Sequence, residues 1–309
     1  FGTADPNTNQ PMATNLYMRI GSLTKTFTVT AVLQLVDKGD VGLDDPIAKY
    51  LPTVPGGDRV TVRDLADMRS GLPSYSKNDA WLDTWLANPT APWTPQQLVA
   101  YSYEEKPLFD PGTSFEYSNT NTVLLGLLVE QVSHQPLDRY IQKHIVEPLH
   151  LTRTSFPTTA AFPSPHAQGY TNQTPTGALT TATDWDPSWG WAAGAMISNV
   201  QDMGIWAKAL ATGSLLSKQT QAARLTFPEL TKKAGYGVGI TTVNGWLGHT
   251  GSIPGYQTLV VYEPETQTSM VVLVNADIPP NGATPRDVIG EAISRVIAPN
   301  HVFTKEPQD

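Results

Sequence analysis

The chain has 309 residues, 28 acidic against 20 basic side chains, and no cysteine. A chain of this length buries a core without cross-links. The net charge of −8 excludes phosphate-backbone binding as the main task, and the missing thiols exclude disulfides, thiolate nucleophiles and cysteine-ligated metals.

Charged residues make up only 16%, below the usual ~25%, and Thr, Ser, Asn and Gln carry the polarity, as is common in exported proteins. No apolar run reaches the roughly 20 residues that cross a bilayer. The sequence opens on Phe1-Gly2-Thr3, without an initiator Met or a signal peptide. It reads as a processed or trimmed product, so it says nothing for or against export.

In chain order, a helix is predicted from Ser22, with Phe27, Ala31 and Leu35 on one face and Gly39 as its stop. A second is predicted over Val60–Met68, with Thr61 and Asp64 spaced as a capping box. Thr120–Ser133, Leu137–Ile145 and Val200–Ala211 also carry helical periodicity. Tyr236–Thr242, Gln257–Tyr262 and Met270–Val274 are β-branched or aromatic runs split by turn residues, the pattern of neighbouring antiparallel strands. Thr284–Ile297 closes the chain as a helix. Pro and Gly concentrate in Leu51–Asp58, Asn88–Pro95, Phe156–Gly177 and Ile278–Pro285, read as loops or crossings. The fold class is α+β.

Three short motifs carry chemistry. Ser22-Leu23-Thr24-Lys25 puts an amine one helical turn from a hydroxyl at a helix start, and a desolvated amine can take that hydroxyl's proton. Tyr117-Ser118-Asn119 offers a phenol and an amide ahead of the long helix. His249-Thr250-Gly251-Ser252 begins a strand, with Gly251 allowing close backbone approach. Taken singly, each also reads as a cap, a packing residue or a turn.

Together, in this order, they match the Ser-x-x-Lys, middle and Lys-Thr-Gly signature of penicillin-binding proteins and β-lactamases, here with Tyr-x-Asn in the middle and His-Thr-Gly at the end. Ser22 precedes Tyr117 by 95 positions and Tyr117 precedes His249 by 132. With the flanks at 18–52, 61–75, 109–130 and 189–203, the chain resembles serine D,D-carboxypeptidases and class C β-lactamase-like proteins over about residues 14–298.

The resemblance implies an antiparallel sheet flanked by helices with an inserted all-helical subdomain. The sheet part would be 1–50 and 195–309 and the helical part 51–194, with the active site between them. It implies Ser22 as the acylated nucleophile, Lys25 as its base and Tyr117 as the relay to the leaving nitrogen. Asn119 would hold the substrate amide. His249, Thr250, Gly251 and Ser252 would line the sheet side, with Thr250 on the substrate carboxylate, and the backbone N–H groups of Ser22 and Ser252 would form the oxyanion hole. Of the tryptophans at 185, 189 and 191, Trp191 is the candidate for a substrate contact.

Other chemistries are excluded or weakened. There is no Gly-x-Ser-x-Gly elbow, and the six histidines show no metal-ligand spacing. No metal and no cofactor are expected. Asn172-Gln173-Thr174 fits a glycosylation sequon.

Two departures stand out. Relatives carry a helix and the first strands ahead of the nucleophile, whereas 21 residues precede Ser22 here. That predicts an uncovered sheet edge and face, and hence either a homodimer or an upstream segment whose restoration would cover them. Relatives also carry an Arg, which grips the substrate carboxylate, in the strand where this chain has Tyr236–Val243. With His249 where most have Lys, carboxylate binding is expected to strengthen from pH 8 to 6.

The reading is a serine acyl-transfer hydrolase, D,D-carboxypeptidase-like and penicillin-binding, with β-lactamase, esterase and non-catalytic muropeptide binder as alternatives. Its partner would be a D-Ala-D-Ala-like peptide or a β-lactam, with no nucleic acid, outside the cytoplasm.

Overall fold

The computed structural model describes residues 1–228, 230–231, 233–278 and 282–304; residues 279–281 of the predicted Ile278–Pro285 loop lie outside them. A 3-10 turn, Gly21–Leu23, leads into helix α1 (Thr24–Asp37). The α-helix therefore starts two residues after Ser22. Residues 24–33 of α1 are buried on every side, so this is a central helix and not an amphipathic surface one. Its threonines stay satisfied: Thr24 accepts from the Met196 N–H, Thr26 from the Trp206 indole and Thr30 from Arg224, while Thr28 donates to the Ala192 carbonyl.

Helix α2 (Val62–Ala66) starts behind a full Thr61–Asp64 capping box and stops before Met68, whose φ is +65°. It is shorter than the predicted Val60–Met68 because both ends are spent on the cap and the left-handed exit. Helices α3 (Asp79–Ala87) and α4 (Pro95–Tyr103) fall where no helix was expected. The signal was present for α4: Thr94 and Gln97 form a capping box with Pro95 at the first position. Helix α5 (Asn119–Ser133) ends on His134 in the left-handed conformation, and α6 (Leu137–Ile141) runs on into a π turn, Gln142–Val146. Helix α7 (Trp191–Gly194) is a single turn, followed by α8 (Val200–Thr212) and α9 (Lys218–Arg224).

The strands are β1 (Thr3–Asp5) with β2 (Gln10–Pro11), β3 (Met18–Arg19) with β6 (Ile197–Ser198), β4 (Tyr170–Thr171) with β5 (Thr180–Thr181), and a five-stranded antiparallel sheet. The sheet holds β7 (Ala234–Tyr236), β8 (Thr241–Val243), β9 (Trp246–Ile253), β10 (Tyr256–Glu263) and β11 (Thr268–Val274), in the order β11-β10-β9-β8-β7. Tyr236–Thr242, expected as one strand, is two strands joined by a reversal at Gly239. There φ is +68° and a β-carbon would lie 2.5 Å from Val29 Cβ, so only glycine turns the chain so close to α1. Helix α10 (Pro285–Ile297) covers the opposite sheet face.

Strand β10 is buried on both faces. Val260 and Tyr262 join the core around α1 and α5, while Leu259 and Val261 join Trp246 and Phe303 on the α10 side, the two-residue alternation of a strand. The main core runs without a break from α1 through α2, α4 and α5 to β10, across the boundaries placed at residues 50/51 and 194/195.

Candidate active site

The turn Gly21–Leu23 presents Ser22 at the mouth of the buried helix. Lys25, one turn on and 0% exposed, has its Nζ 3.1 Å from Ser22 Oγ, donates to the Ala193 carbonyl at 2.8 Å, and lies 4.9 Å from the centre of the Tyr117 ring. Burial pushes its pKa well below the ordinary lysine value. An uncharged amine keeps a lone pair for the Ser22 proton. Residues 192 and 193 thus orient α1, accepting from Thr28 and Lys25.

Tyr117 reaches the same point from the loop before α5. Burial pushes its hydroxyl far above the ordinary phenol value, while its hydrogen bond with Ser22 and the charge of Arg286 pull the other way. The shift favours the protonated phenol. Asn119 opens α5. Its amide donates to Ser76 Oγ at 2.8 Å and its backbone N–H to Ser74 Oγ at 3.0 Å, so two serines of the Gly71–Lys77 stretch hold it in place.

The opposite wall is β9. A β-carbon on Gly21, at φ +53°, would lie 2.7 Å from Ser252 N, and one on Gly251 would lie 2.0 Å from the Ile20 carbonyl oxygen and 3.3 Å from Ser22 N. Two glycines thus let the strand run against the nucleophile's own turn, and the backbones of Ser22 and Ser252 come side by side. His249 is 3% exposed. Its Nε2 lies 3.1 Å from the Tyr236 hydroxyl and its Nδ1 2.5 Å from the Thr250 carbonyl. Both ring nitrogens are thus engaged inside the protein.

Ser22, Tyr117, His249, Thr250 and Ser252 share one cavity of about 300 Å³ with Tyr236, Thr241 and Arg286. Trp191 is not among its lining residues: its ring packs on α5, where a β-carbon at Gly126 would lie 2.8 Å from it. Asn119 also lies outside the lining. A larger cavity, about 510 Å³, sits against α4 and α5 around Tyr103 and Glu130, away from the Ser22–Lys25 pair.

Three contributors escaped the sequence reading. Ala193 and the Ser74–Ser76 pair act through the backbone or through short hydroxyls, which leave no pattern. Arg286 stands in the first turn of α10 and donates to the Gly251 carbonyl at 2.8 Å, beside Asp287 at 3.4 Å. One signal existed, since a cation there opposes the positive end of the helix dipole and needs another reason to be present. Burial lowers its pKa and Asp287 opposes that; a guanidinium remains charged. A hydroxyl, a buried amine, a phenol, adjacent backbone N–H groups and a cation are thus gathered in one place, the set of groups that acyl transfer requires.

Known proteins share this fold. A D-stereospecific amidohydrolase from Streptomyces sp. superposes with a TM-score of 0.85 at 32% identity, covering 92% of this chain and 87% of that one. The D-amino acid amidase of Ochrobactrum anthropi SV3 gives 0.84 at 26% identity, covering 96% and 88%. PbpX of Bacillus subtilis, named as a penicillin-binding protein, is 27% identical over 280 residues, which are 89% of this chain and 66% of that protein. The chain thus spans just under two thirds of that curated relative's length. The motif trio, the sheet with its helices and these likenesses agree with the family model matching residues 1–293, and the chain belongs to the Beta-lactamase family of serine hydrolases.

Proposed function

We propose that the protein is a serine acyl-transfer hydrolase of D-configured amides and peptides, D,D-carboxypeptidase-like, which β-lactams acylate at Ser22. The observation that carries this reading is a fully buried Lys25, its pKa pushed down by burial, 3.1 Å from Ser22 Oγ.

Lys25 takes the Ser22 proton as Oγ bonds to the substrate carbonyl carbon. The oxyanion meets the backbone N–H groups of Ser22 and Ser252. The C–N bond then breaks, Tyr117 gives its proton to the departing nitrogen, and Lys25 restores it to Tyr117. Water reverses the sequence and frees the acid.

A substrate carboxylate meets Arg286, which enters the cavity from α10 instead of from the strand. A second reading is an amidase with a neutral leaving group. It is favoured by the two D-specific neighbours and by the partial use of Arg286 on Gly251 and Asp287. Either substrate class goes with work outside the cytoplasm.

Intact mass followed over time with benzylpenicillin, beside turnover of N-acyl-D-Ala-D-Ala and a D-amino-acid amide, tests the proposal. A lasting adduct with peptide turnover supports it. A transient adduct moves the reading to β-lactamase, and turnover of the amide alone moves it to amidase. No adduct and no turnover at Ser22 overturns it.

A further inference from the structure

The cleft holds a buried polar contact between two rings that the acyl-transfer steps do not use. Tyr236, 3% exposed at the end of β7, sets its hydroxyl 3.1 Å from His249 Nε2, and the two rings meet edge to face at 89° with centroids 5.7 Å apart. Nδ1 of the same ring lies 2.5 Å from the carbonyl oxygen of the next residue, Thr250. A carbonyl only accepts, so Nδ1 carries the hydrogen. In the neutral ring the bare Nε2 then accepts, with the Tyr236 O–H as its donor.

Tyr236 is equipped to remain one. Burial pushes its pKa well above the ordinary phenol value, and Tyr117 and Asp67 push the same way. Among the described residues, groups facing the pair come from several elements. Tyr117 precedes α5, with its ring 6.1 Å from Tyr236 and 6.2 Å from His249. Lys25 of α1 lies under that ring, Asp67 follows α2, and Arg286 of α10 lines the same cavity.

We infer that Tyr236 is a positioning residue, which holds His249 as the neutral Nδ1–H tautomer and through it fixes the Thr250 carbonyl and the path of β9 past Ser22. Its kinetic side rests on the acyl transfer proposed above; its structural side does not. His249 then supplies no cation near neutral pH, and preference for carboxylate-bearing substrates does not follow its titration.

The test uses the full chain and Tyr236→Phe, with two readouts. Nitrogen NMR of histidine-labelled protein should show one protonated and one bare nitrogen in His249, unchanged from pH 8 to 6. Tyr236→Phe should show tautomer exchange or proton uptake in that range. In kinetics, the ratio of acylation by benzylpenicillin to acylation by a neutral acyl ester should be flat with pH in wild type. In Tyr236→Phe, acylation should drop about threefold to tenfold, the size of one neutral hydrogen bond, and the ratio should rise toward pH 6. A wild-type His249 that titrates between pH 6 and 8, or identical His249 spectra in the two proteins, overturns the inference. The wild-type titration decides even if the variant fails to fold. If neither compound acylates Ser22, the acyl-transfer reading falls, while the spectra still judge Tyr236.

Discussion

The two walls of the cleft are built by different means. The nucleophile wall is local: Ser22 in the 3-10 turn and Lys25 in the first turn of the buried α1 lie three residues apart. The sheet wall is assembled from distant pieces: β9 brings His249 to Ser252, β7 brings Tyr236, and α10 brings Arg286. On the proposed function, the first wall would meet the reacting atoms, which every substrate shares, and the second the rest of the substrate, which differs between substrates. Damage to the first should therefore be indiscriminate, and damage to the second selective.

That contrast can be broken by experiment. Ser22→Ala should abolish covalent labelling by penicillin and fluorophosphonate alike with the fold unchanged by circular dichroism; labelling at another serine would refute the assignment. Lys25→Ala should slow acylation by roughly 10²–10⁴, the usual worth of a general base, equally for charged and neutral substrates. In wild type the rate should climb with pH through a value below the ordinary lysine range, because only the uncharged amine takes the proton.

Gly21→Ala tests the seam between the walls. Its β-carbon would crowd Ser252 N at 2.7 Å, and parting the two oxyanion donors should cost about 10²–10³ in acylation rate. Stopped-flow rates near wild type would show that the seam does not matter.

Arg286→Gln belongs to the sheet wall. It should lower acylation by carboxylate-bearing substrates about 10–100-fold and leave neutral esters within about threefold. Equal losses would mean that Arg286 only braces Gly251.

The smallest effect concerns Asp67, behind Tyr236. Burial raises its carboxyl to about 7, against an ordinary value near 3.9 when unfolded. Between those values the folded state keeps a proton that the unfolded state releases, so stability falls as pH rises through the window. Wild type should lose on the order of a few degrees of melting temperature more than Asp67→Asn between pH 5 and 8; parallel melting curves would remove the effect.

The same contrast explains what could be read in advance. The nucleophile wall was legible because its chemistry sits in four consecutive residues. The Thr61–Asp64 box and the Leu-rich face of α5 were legible for the same reason. The short strands β7 and β8 were not, since the reversal at Gly239 answers to Val29, 210 positions earlier. Trp191 could have faced substrate or core, and a missing side chain at Gly126 decides for the core. In the sequence His249 reads as a weakened cation; the contact of its Nε2 with the Tyr236 hydroxyl, at the end of a strand noted only for lacking Arg, joins residues 13 positions apart and leaves no local pattern.

The unbroken apolar core under both walls has a mechanical consequence. Because its apolar contacts pass from α1 through α4 and α5 to β10, swinging one half should unpack the other, and close-packed interiors resist gradual deformation. The cleft is then a fixed aperture whose width does not depend on domain closure. Substrate entry should add no slow opening step, and heat should remove activity and structure in one calorimetric transition.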